Sequence, residues 1–126
     1  MAFEIDMDRI SLVAGADLST KQFLAVSINA NGAAVTADAD DFAVGILQNN
    51  PGNGQAATVA VGGVSKAKAG GTVAAGARVT ANATGQIVAA ATGDSILGIA
   101  VTGGVSGDVI SVLVSASGTG AAAVVS

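Results

Sequence analysis

Nine carboxylates and five cations are the only ionisable side chains in this chain of 126 residues, which contains no His, Cys, Tyr or Trp. That removes imidazole acid–base catalysis, thiolate attack, disulfides and the usual zinc ligands. What remains is carboxylate chemistry. Hydrolysis by paired carboxylates needs two such groups a few ångströms apart with their pKa values pushed apart. Asp41 and Asp94 are the tempting pair, because they recur at matching positions. Each reads instead as a turn cap that accepts backbone N–H groups before a buried strand. Asp38-Ala39-Asp40-Asp41 superficially resembles a calcium loop, but Ala43 and Asn49 stand where such a loop needs Gly and Glu. Lys66, between two β-type runs, lacks the flanking Met or Asp of cofactor-carrying hairpins, and reads as a lysine guarding an edge strand. No Gly-Lys-Ser/Thr follows the Gly-rich Asn50–Gly54, so it is a hairpin tip and not a phosphate loop. Asn82-Ala83-Thr84 fits a glycosylation triplet, but the start of the chain has no leader-like basic and apolar run. The expectation is a protein that is not an enzyme and holds no cofactor or metal.

The composition points to a covered surface. Apolar residues make up 51% of the chain and charged residues 11%, against about 25% charged in an ordinary soluble domain. A membrane-spanning segment is not expected, because Gly and polar residues interrupt every window of about 18 residues. Nucleic-acid binding is excluded as well. The net charge is −4, and Arg9, Lys21, Lys66, Lys68 and Arg78 are too few and scattered for a basic patch.

Eighteen glycines punctuate short runs of Val, Ile, Thr and Ala, which reads as an all-β domain. The best short-helix candidate is 19–22. A shift of 53 residues lays 26–61 on 79–114 without a gap, with twelve of the 36 positions identical. Matches such as Asn29/Asn82, Gly32/Gly85, Asp41/Asp94, Gly45/Gly98 and Val59/Val112 are not easily produced by low complexity. Each copy predicts a strand, a turn (Asn31-Gly32 or Thr84-Gly85), a short strand, a buried central strand (43–47 or 96–100), a long loop and a closing strand. Residues 62–75 join the copies and carry one more strand.

The domain organisation that follows is an N-terminal arm at 1–17, a single β domain at 18–114, and a flexible Gly/Ala/Ser tail at 115–126. In the arm, Phe3, Ile5 and Met7 alternate with Glu4, Asp6 and Asp8, the period of a half-buried strand. Nothing in the repeat pairs with it, so its expected cover is a neighbouring chain, the alternative being that it pairs at home with its own barrel. The expected partner contacts are Phe3, Ile5, Met7 and Ile10 on the arm, with Asn49, Asn50, Pro51 and Asn53 at the hairpin tip.

Several segments in order carry a family resemblance: Val44-Gly45-Ile46-Leu47-Gln48-Asn49 with its Pro-Gly tip, Ala56–Val61, Gly63-Val64-Ser65-Lys66, Ala75–Thr80, Gly85-Gln86-Ile87-Val88, Leu97–Ala100 and Gly107–Leu113. Over residues 12–114 the chain resembles the small tailed-phage capsid decoration, or cement, proteins. That resemblance implies a compact β-clip or β-tulip-like barrel, similar to lambda-type head-decoration proteins. It implies a homotrimer bound to the major capsid protein on the outer capsid surface of the virion, after synthesis in the host cytoplasm. No catalytic residues carry over. The alternative is another virion or surface module: a tail, fibre or adhesin β domain.

Overall fold

A computed structural model describes residues 5–37, 43–91 and 94–119. The fold is all-β, a single curled, half-barrel antiparallel sheet. Its strands are β1 (Ile5–Val13), β2 (Ala25–Ile28), β3 (Ala34–Thr36), β4 (Gly45–Leu47), β5 (Ala56–Lys68), β6 (Arg78–Ala81), β7 (Ile87–Ala89), β8 (Ser95–Ala100) and β9 (Val109–Thr119). They lie in the order β3-β2-β4-β5-β9-β8-β6-β7, with β1 on β5. The helix candidate at 19–22 is a turn region closed by the Lys21 N–H on the Leu18 carbonyl, 3.1 Å.

The duplicated segments fold alike, residue for residue. Val26 pairs with Thr36 and Val79 with Ala89. Ala25 pairs with Ile46 and Arg78 with Ile99. Leu47 pairs with Val59 and Ala100 with Val112. The turns match as well: Asn29 Oδ1 accepts the N–H groups of Asn31 and Ala33, and Asn82 Oδ1 those of Thr84 and Gln86. An Asn at this place satisfies donors that the tight turn would otherwise strand.

The repeat also extends further than the sequence alignment. β1 is not an arm outside the sheet: it pairs antiparallel with β5, Arg9 opposite Ala60 and Val13 opposite Ala56. In the second unit the same place, beside the closing strand, is taken by the second half of β5, with Val64 opposite Leu113 and Lys68 opposite Val109. Three pairs of backbone bonds confirm the equivalence. Ala14 N–H donates to Gln55 O and Ala69 N–H to Asp108 O, both at 2.8 Å. Gly15 N–H donates to Ala34 O and Gly70 N–H to Ile87 O, again at 2.8 Å. Leu18 N–H reaches Pro51 O at 2.9 Å and Val73 N–H reaches Gly104 O at 2.8 Å. Over this stretch the offset is 55, not 53, because Ser19 and Thr20 are two extra residues in the first unit. The expected arm is therefore the opening strand of the first unit. Likewise β9 runs to Thr119, five residues into the expected tail.

Each unit has its own core. Ala14, Leu18, Val26, Ala34, Leu47, Ala57 and Val59 fill the first. Their counterparts Ala69, Val73, Val79, Ile87, Ala100, Ile110 and Val112 lie in the second. Leu47 is replaced by Ala100 and Leu18 by Val73, while Ala34 becomes Ile87 and Ala57 becomes Ile110. Losses and gains of volume offset one another, which is how cores tolerate substitution. The continuous β5 ties the units together. Lys66 sits inside it opposite Ser111, in the half of β5 that takes the place of β1.

Candidate interaction surfaces

The residues expected to carry contacts fall in different places. Phe3 lies outside the described residues. Ile5 and Met7 belong to β1, with Ile5 opposite Val64. Ile10 is exposed on β1 opposite Val59, and Val13 is exposed three residues on. Asn49 and Asn50 spend their amides at home. The Asn49 side chain donates to Ala56 O and accepts the Thr58 N–H, each at 3.0 Å. Asn50 Oδ1 accepts the Gln22 N–H at 3.0 Å. Pro51 is buried, and Asn53 is exposed at the tip. The tip docks on the end of β1, with the Gly54 N–H on Ala14 O at 2.9 Å. Structure thus brings Ile10, Val13 and Asn53 to neighbouring parts of the first unit.

A shallow cleft of about 310 Å³ opens in the same unit, lined by Arg9, Gln22, Phe23, Gln48, Asn49 and Thr58. Its amides are engaged: Gln22 Nε2 donates to Gln48 O at 2.8 Å, and Gln48 Nε2 to Ser65 Oγ at 2.8 Å. They stiffen the loop between β4 and β5. Phe23 stands here at φ 70, a non-glycine residue with a left-handed backbone, and its counterpart in the second unit is Gly76 at φ 86. The Phe23 N–H donates to Leu47 O and the Gly76 N–H to Ala100 O, so both are held by the same bond.

Asp17, Asp94 and Asp108 are engaged with backbone N–H groups. Asp94 Oδ2 accepts the Ala91 N–H and Asp108 Oδ2 the Val105 N–H, both at 2.9 Å. The Ser19 hydroxyl and N–H hold the exposed Asp17 carboxyl below its ordinary range, with Lys21 assisting. Asp38, Asp40 and Asp41 lie outside the described residues, and with them the calcium-loop and Asp41/Asp94 readings. Among the described residues, no group of three or more acidic side chains could hold a metal.

No family model and no curated protein matches the sequence. The fold does have a solved counterpart. The chain is similar to the head fiber gp8.5 N base of bacteriophage phi29, with a TM-score of 0.66 at 17% identity. The match covers 86% of this chain and 94% of that one. At this identity the likeness is one of fold. The sequence pointed to a strand near β1 but missed its place in the repeat, and it missed Phe23; the Ala-Gly pair shared by 14–15 and 69–70 was the available signal for the first.

Proposed function

We propose that this chain is a structural protein of a phage virion, and within that class a capsid decoration protein. In this reading it binds the major capsid protein on the outer surface of the head and associates with itself as a homotrimer. The observation that carries it is the shared fold with a phage head fiber base over nearly the whole of that chain. The low charge supports it too, as does the engagement of Asp94 and Asp108 with backbone N–H groups. A cement protein needs no chemistry. Binding energy gained only on the assembled shell favours the shell over its broken pieces.

The proposed shell-facing rim is the free side of β1, with Ile10 and Val13, and the adjoining tip at Asn53. A second reading, a base that anchors a longer fibre, is favoured by the described function of the structural neighbour, a head fiber. Pelleting the purified chain with shells that lack it separates them. A decoration protein saturates the shell in many copies, and its binding changes little with salt, because few ion pairs are available to screen. Occupancy of a few sites per shell supports the fibre base. No co-pelleting contradicts both.

A further inference from the structure

The two units touch each other asymmetrically, and each leaves one half of that contact unused. On the first unit, the cross-strand row Ala25–Ile46–Ala60 is fully buried. Ala25, Ala37 and Ile46 belong to the core of the second unit, which covers them. The second unit covers this face with the side that carries Ala81 and the Asn82–Gly85 turn. Gly85 O accepts the Ala25 N–H at 2.8 Å. A Cβ on Gly85 would stand 2.6 Å from Thr36 Cγ2 and 3.0 Å from Ala25 O, so the turn is pressed onto the first unit.

The equivalent surfaces at the other ends expose large apolar side chains. The row Arg78–Ile99–Leu113 corresponds strand for strand to Ala25–Ile46–Ala60. Yet Ile99 is 40% and Leu113 42% exposed. At the opposite end Ile28 corresponds to Ala81, and it is 45% exposed where Ala81 is 4% exposed. Gly32 corresponds to Gly85 and has open space around it. Large apolar side chains thus stand uncovered at the places whose counterparts are buried by the contact between units. Isolated exposed apolar residues need no explanation, but this set is patterned.

We propose that a second copy of this chain supplies the missing halves. The Ile28 and Asn29–Gly32 side of one molecule docks on the Arg78–Ile99–Leu113 face of the next, repeating between chains the contact that the two units make within one. Such a contact is heterologous, so it closes into a ring or runs on as a filament. The homotrimer proposed above is the three-membered ring. The inference rests on the self-association part of that reading and not on the shell.

Sedimentation of the purified full-length chain, with no shell present, tests it. The unaltered chain sediments as an oligomer. Ile28→Lys and Leu113→Lys each bury an unpaired charge in the contact and weaken association by about 100-fold or more. Mixed one to one, the two variants form a heterodimer and nothing larger, because each retains the surface that the other has lost. Circular dichroism checks their strand content. If either lysine variant loses it, Ile28→Ala and Leu113→Ala replace them, with a loss of about tenfold each. A monomeric unaltered chain, variants that associate like it, or a mixture with no heterodimer overturns the inference. A chain that forms these oligomers but leaves shells bare sinks the decoration reading alone.

Discussion

Gly45 and Gly98 hold the same place in β4 and β8, and the reason is steric. A Cβ at either would press on a neighbouring backbone carbonyl, that of Ala60 or of Leu113. Glycine lets the two strands close up. Gly45→Ala or Gly98→Ala should therefore cost about 3 kcal/mol in denaturant unfolding. Gly76→Ala meets no atom within 4 Å, and its φ of 86 leaves only backbone strain, about 1 kcal/mol. Equal losses at the two kinds of site would contradict this account. Asp94→Asn should keep the fold and lose about 1 kcal/mol, as a lost cap does. Asp17 has a lowered folded pKa, so its stabilising contribution is present above the ordinary carboxylate pKa. It is lost as pH falls through the folded value. In an NMR titration, Ser19→Ala should move the Asp17 midpoint back up toward the ordinary value. An unmoved midpoint would show that Ser19 is not the cause.

At the scale of elements, β1 decides how the chain is divided. Its place in the repeat was hidden from the sequence because its counterpart lies 55 residues on, across the two extra residues at 19–20. The strand sequences themselves have diverged, Arg9-Ile-Ser-Leu-Val against Val64-Ser-Lys-Ala-Lys. The turns were legible because Asn29, Gly32, Asn82 and Gly85 answer to local backbone needs that both units share. Which strand lies beside which is a long-range matter that composition does not carry. Since β1 pairs along β5 from Ile5 to Val13, the alternate amides in 9–12 that face β5 should be protected from hydrogen exchange in the free protein. Deleting 2–10 should destabilise the first unit, not merely weaken docking. Rapid exchange through 9–12, with the rest of the sheet protected, would restore the mobile arm.

On the scale of the whole molecule, the chain is two copies of one small sheet sharing a long strand. The contact between them leaves a complementary unsatisfied surface at each end. Thin Ala- and Val-rich cores bury modest area at about 25 cal/mol per Å². In the proposed reading, association with neighbours adds to that stability and accounts for a sequence so poor in charge. The proposed role rests on a likeness of fold to a phage head fiber base. Decoration of the shell is the narrower form of that proposal. Electron cryomicroscopy of phage shells incubated with the purified chain tests the claim most directly. The account predicts regular density on the outer surface, fitted by copies of the curled nine-stranded sheet with β1 and the Asn53 tip toward the shell. Bare shells, or density confined to the tail, would contradict it.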